Sequence, residues 1–276
     1  MATVTELRYY PVKGCAGVTA AQAELTRAGL AHDREFMVVD EEGVFRSQRR
    51  DPVLATVRPA VTRDGRSLTL TASGMEPLSV TVDTEGPRRE VRLFHLPFLG
   101  IDQGKEAADW LSEVLGSRGR LVRVPPEHDR VTTGLTPGTS GYADSCAVLL
   151  VSHSSLKHFN GLSGELSDAR PVPMDRFRAN LVVDGWSEPH TEDLARRIEV
   201  GEAELGYAKL AIRCAVTTLD QSSGTKAGPE PLRTLARYRR AAAGGVAFGS
   251  KFAVLRPGTL RVGDELTVGA WGPSEL

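Results

Sequence analysis

The chain has 276 residues, 41% hydrophobic and 25% charged, with a formal net charge of -1. That length allows one large or two modest domains around a real core, and the balanced charge offers no field to gather nucleic acid or an anionic membrane. No apolar run is long enough to span a bilayer, MATVTELRYYPVKG lacks the pattern of a secretory signal, and three scattered cysteines suit neither a disulfide framework nor a cysteine zinc site, so a reduced, cytoplasmic protein is the expectation.

Val4 to Tyr10 reads as a first strand, stopped by Pro11. In VKGCAG, Lys13 is flanked by small residues that leave backbone amides open to a ligand; the plainer reading is a turn with a solvated lysine. Arg34 stands at the entrance to EFMVV, where Phe36 and Val38 alternate with Met37 and Val39; a surface ion pair is its plainer role. Asp40 to Gly43 turns the chain into a return strand at Val44 and Phe45. Strands are predicted over 53–60, 67–72, 78–83 and 91–96, a meander typical of barrels and sandwiches. Ala107, Trp110, Leu111, Val114 and Leu115 recur at helical spacing before Gly116, a C-terminal cap residue, and a strand follows over 121–124. Pro125 to Gly141 is rich in Pro, Gly and Thr and reads as a long loop and domain boundary.

Asp144, Ser145 and Cys146 precede the continuous apolar run Ala147 to Val151, a strand of the fully buried type. A short helix over 154–159 is predicted with Ser152 or Ser154 as its cap. In DRFRANLVV, Arg178 and Asn180 lie just before another apolar strand; an ion pair and a turn asparagine are their plainer readings. A hairpin through Gly201 leads to LAIRCAVTTLD, where Leu210, Ile212, Cys214 and Val216 alternate with Ala211, Arg213, Ala215 and Thr217. Cys214 then falls on the apolar face, which suits a buried core thiol; a thiolate ligand helped by Arg213 is the alternative. Pro231 to Arg240 reads as a basic amphipathic helix with a solvated face, and strands flank the turns at Pro257-Gly258 and Gly263-Asp264. None of the six histidines forms a helical zinc pair, and no phosphate loop, dinucleotide loop or G-x-S-x-G elbow is present.

VKGCAG, HDREFMVVD, FRANLVV, RCAVTTLDQSSG, EPLRTLARYR and PGTLRVGDEL occur in an order that resembles the two-part MOSC proteins, relatives of the mitochondrial amidoxime-reducing component. The resemblance implies an α+β fold, mainly β: a β-barrel-like N-terminal domain over residues 1–125 packed on a MOSC-type β-barrel with a few helices over 126–276. It implies a molybdenum cofactor, with pterin dithiolene and the thiolate of Cys214 on the metal, and gives no reason to expect pyridoxal phosphate. Lys13, Gly14 and Arg34 match the phosphate-binding positions, with Gly14 where relatives often have serine. Arg178 and Asn180 match the pair on the pterin side, Asp144, Ser145 and Cys146 a pterin-contacting segment, and Ile212 and Arg213 the residues before the metal cysteine. Lys251, in FGSKF, stands where relatives often carry tyrosine.

The implied reaction is two-electron reduction of an N-hydroxylated small molecule by oxygen-atom transfer, with Asp144 a candidate proton relay. The chain shows no membrane anchor and no iron–sulfur segment, so electrons are expected from separate ferredoxin, flavoprotein or cytochrome b5 type proteins. Sulfur transfer through a persulfide on Cys214 and non-catalytic cofactor carriage are the alternatives.

Overall fold

The computed structural model describes residues 1–167 and 170–276. Seven strands form a closed barrel and are numbered in chain order: β1 (Ala2–Tyr9), β2 (Val148–Ser152), β3 (Leu181–Asp184), β4 (Ala195–Val200), β5 (Ala203–Arg213), β6 (Val246–Arg256) and β7 (Glu265–Trp271). Around the ring the order is β3-β2-β6-β5-β4-β7-β1, and β1 pairs with both β7 and β3 to complete it. The β2–β3 pair is parallel and the others are antiparallel. Closure satisfies the edge hydrogen bonds that an open sheet would expose.

The first strand of the chain therefore completes a barrel whose other six strands come from the second half. Gln22–Thr26 likewise pairs with Gly258–Arg261. A division at 125/126 is a proposal about chain order; the strand pairings cross it.

The apolar run of β2 is explained by burial on both faces. Val148 and Leu150 face the barrel core with Leu205, Tyr207 and Phe252. Leu149 and Val151 face outward, under a second layer containing Phe159, Phe177 and Phe248. That layer is closed by α2 (His153–Ser167) and α3 (Leu232–Tyr238), numbered after α1 (Lys105–Leu115) in the first half. Ser152 caps α2, accepting the Ser155 N–H on its Oγ at 3.2 Å, which leaves Ser154 outside that role.

In the first half, a five-stranded sheet and a three-stranded meander share one core with α1. Trp110 and Leu111 carry the helix into that core, and Gly116 ends it in the left-handed conformation, φ 64°.

Several expected elements differ. The strand predicted from Val53 is a 3-10 turn over Pro52–Thr56, because Pro52 fits a first helical turn and Leu54 and Ala55 reach the core; the strand starts at Arg58. The strand predicted over 91–96 is two strands, Arg88–Leu93 and Leu96–Asp102, reversed by a turn at Phe94 with φ 59°. The loop before β2 contains a small hairpin, Val131–Thr132 with Gly138–Thr139. The basic face of α3 is only partly solvated: Arg239 is buried against Asp193.

The largest correction concerns Cys214. The strand ends at Arg213, and a 3-10 turn over Ala215–Thr218 follows. The pairing of β5 with β6 shifts between Leu210 and Ile212, across from Gly249 at φ 76°. This bulge breaks the alternation, so Leu210 and Ala211 are both buried while Ile212 is 42% exposed. Cys214, expected on the apolar face, is an exposed thiol.

Candidate functional site

The eleven residues singled out in the sequence, from Lys13 to Cys214, all line one cavity of about 220 Å³ between the two halves. They arrive from five places: the turn after β1, the segment at Arg34, the loop before β2, the approach to β3 and the end of β5.

One wall is built on Tyr10. Its ring is covered by the guanidinium carbons of Arg34 at 4.3 Å and Arg178 at 4.2 Å from the centroid. Both arginines adopt left-handed backbone conformations, φ 51° and 54°, which are unfavourable for such side chains and persist only where neighbours over-determine them. Here they do. Asp33 accepts the Tyr10 N–H at 2.8 Å and pairs with Arg34, whose own N–H donates to the Tyr10 carbonyl at 2.7 Å. Arg178 donates to the Cys15 carbonyl at 2.7 Å and to Gln221 at 3.0 Å. Burial pushes the Arg178 pKa down, whereas Arg34 is pushed up by Asp33 and Tyr10 in spite of its burial.

Asn180 ties this wall to the barrel. Its Oδ1 accepts from Arg34 at 3.0 Å and from the Leu149 N–H at 3.1 Å, and its Nδ2 donates to the Arg8 carbonyl at 3.1 Å. Only one amide proton is left for a ligand, so Asn180 positions Arg34 more than it contacts anything bound.

Lys13 is 7% exposed and pairs with Asp144, which stands at the opening of the cavity. Burial lowers the Lys13 pKa and Asp144 partly restores it. Burial raises Asp144, but Lys13 and Lys251 outweigh that and hold the carboxyl well below the usual range. A carboxyl so held carries no proton to give near neutral pH and is a weak base, which counts against the expected proton relay. Gly14 has φ 87°, favourable only for glycine, and its carbonyl accepts from Gln48 at 2.7 Å.

At the end of β5 Arg213 donates to the Phe177 carbonyl at 2.7 Å, while its buried Nε has no partner. Thr217 donates from its hydroxyl to the Cys214 carbonyl at 2.9 Å, bending the chain just beyond the thiol. Ser145 accepts from Lys251 at 2.7 Å. Cys146 is buried at the wall, with its pKa raised by burial.

The sequence reading missed Tyr10, Gln48 and the rings of Phe45 and Phe94, which lie 5.1 and 5.6 Å from the Lys13 Nζ. No motif announces them. They matter through packing that joins distant segments.

Residues 1–118 match the MOSC N-terminal beta barrel domain and residues 137–267 match the MOSC domain. A mitochondrial amidoxime-reducing component 1 from Mus musculus is 32% identical over 95% of this chain and 81% of its own length. The chain belongs to the MOSC family. A mitochondrial amidoxime reducing component 2 from Rattus norvegicus is 33% identical with 82% of its length covered. A molybdenum cofactor sulfurase from Danio rerio is 31% identical over 90% of this chain but only 31% of that relative. The names of the first two relatives place them in the mitochondrion, which overturns the cytoplasmic location expected for this MOSC protein. Among the described residues no helix is long and apolar enough to cross a membrane.

The site fits the cofactor that the resemblance implies. Among the described residues no group of three or more His, Cys, Asp or Glu could hold a metal ion. A metal at Cys214 must therefore bring its own donors, as one held by a dithiolene does, and a thiolate suits such a sulfur-rich centre. The partnerless Arg213 Nε and the Arg178 guanidinium, which holds only neutral oxygens, are the cationic groups that a phosphorylated ligand would answer.

Proposed function

We propose that this protein is a molybdenum-cofactor-dependent reductase that removes oxygen from N-hydroxylated small molecules such as amidoximes and hydroxylamines. The observation that carries the reading is an exposed thiol, Cys214, in a cleft walled by cations from both halves of the molecule. Lys13, Arg34 and Arg178 would hold the cofactor phosphate, with bidentate contacts open to the arginines. Ser145 would donate to the pterin, and Cys214 would be the one protein ligand of the metal. Bound there, molybdenum would supply two electrons and take up the substrate oxygen.

The chain's own groups do the positioning. Asp33 and Asn180 fix Arg34, and Gln221 fixes Arg178. Asp144 holds the Lys13 ammonium in place by its negative charge. Arg213, next to the sulfur in the chain, is held by the Phe177 carbonyl and lines the same cavity. Electrons would come from separate ferredoxin, flavoprotein or cytochrome b5 type proteins.

The test is elemental analysis of protein made in a host able to synthesise the cofactor, followed by reduction of benzamidoxime with an artificial electron donor. Stoichiometric molybdenum and turnover are expected. Loaded protein that is inert toward every N-oxygenated compound would remove the catalytic claim.

Sulfur transfer is the second reading, favoured by the accessibility of Cys214 and by the sulfurase relatives. Mass spectrometry would then find an extra sulfur on Cys214 in metal-free protein.

A further inference from the structure

Two lysines stand directly opposite each other in the barrel sheet, and one of them lines the cavity. Lys251 on β6 lines the cavity and pairs directly across the sheet with Lys209 on β5, so the two side chains share one face. Like charges directly opposite each other destabilise a sheet. Lys13 and Arg34, elsewhere in the cleft, escape this cost, since Lys13 has Asp144 and Arg34 has Asp33. The recorded hydrogen-bond partners of Lys251 and Lys209 are neutral hydroxyls, Ser145 Oγ at 2.7 Å and Thr133 Oγ1 at 3.4 Å. Among the described residues no carboxylate forms an ion pair with either lysine. Burial adds to the cost at Lys251 and lowers its pKa; Asp144 opposes that from a distance while bound to Lys13.

The pair lies on the Ser145 and Cys146 side of the cleft, apart from the Tyr10 wall, where Arg34 and Arg178 would take the cofactor phosphate. An anion between the two ammonium groups would remove their repulsion. We propose that Lys209 and Lys251 form an anion subsite that receives a carboxylate of the substrate, so that the preferred substrates are N-hydroxylated compounds bearing a carboxylate. This substrate class rests on the reductase reading of the same cleft.

The experiment uses the molybdenum-loaded full chain and two ligands, benzamidoxime and 4-carboxybenzamidoxime. Calorimetry measures binding of each, and a separate assay follows their reduction with an artificial donor. The carboxylated compound is expected to bind at least about tenfold more tightly, as a charge-assisted contact allows. In Lys251→Met, or in Lys209→Met with Lys251→Met, that preference should fall below about threefold, whereas Lys251→Arg should keep most of it. Circular dichroism of each variant verifies folding. Equal binding of the two compounds by the wild type, binding of neither, or a preference untouched by Lys251→Met overturns the subsite. Selective binding without reduction of either compound supports the subsite and sinks the reductase reading; reduction without selectivity does the reverse.

Discussion

The cleft and the rear of the barrel use the same residue types in opposite ways. Behind the barrel, Asp193 takes Arg239 and the Ser250 hydroxyl at 2.8 Å, all three residues under 5% exposed. Beside it, fully buried Glu192 accepts from Ser152 at 2.9 Å and from Ser155 at 2.8 Å. That network is complete within the protein. In the cleft, Arg178 and Arg213 hold only neutral oxygens, and Lys251 holds only a hydroxyl. Buried charges that pair with each other hold a fold together, while those left unpaired mark where a ligand of opposite charge belongs.

The contrast can be broken from either side. Cys214→Ser should lose molybdenum and at least about a thousandfold in reductase activity, in line with removal of a reacting group, with little change in stability because the side chain is exposed. Metal content, turnover and urea unfolding measured together check this. The rear network should behave inversely. Arg239→Met leaves Asp193 buried and unpaired and should cost about 3 kcal/mol in urea unfolding, while the folded fraction still takes up molybdenum. Smaller is the effect of Arg178→Met, which should weaken retention of the cofactor about tenfold through the loss of one charge-assisted contact. Dialysis against a cofactor acceptor reads that out.

Protonation gives a finer test. His190 packs against His158, Tyr238 and Phe248, and burial, with Arg239, pushes its pKa down to about 3 from 6.5. Between those values the unfolded chain binds a proton that the folded chain refuses, so this histidine makes stability fall as the pH drops from 6.5 toward 3. His190→Phe should flatten that limb of the urea midpoint against pH. Asp144 is shifted down on folding too, but for an acid that shift stabilises: its contribution is present above the unfolded carboxylate range and is lost as the pH falls through that range into strong acid. The mildest test is thiol labelling. Burial pushes Cys15 up to about 12 and also raises Cys146, so a brief alkylation of native, metal-free protein should modify Cys214 first, as peptide mass mapping would show.

The amino-acid order determined which segments carry chemistry. VKGCAG, HDR, ADSC, RAN and RC were recognisable because backbone turns and charged or thiol residue types show in local sequence, and residues of all five line the one cavity. The mainly β character was equally visible, since strand alternation and turn residues are local. Folding alone decided three things. A bulge between Leu210 and Ile212 turned Cys214 out of the apolar face, and no two-residue alternation can foretell a shift that depends on the partner strand. Closure of the barrel by β1 joined the first residues of the chain to the last strands. Finally, pairing chose which charges are satisfied: Arg239, expected in solvent, met Asp193, while Lys251 met Lys209 and no carboxylate. The sequence displays a charge, but its countercharge comes from a distant segment, so only the three-dimensional arrangement decides whether that charge serves the core or waits for a ligand.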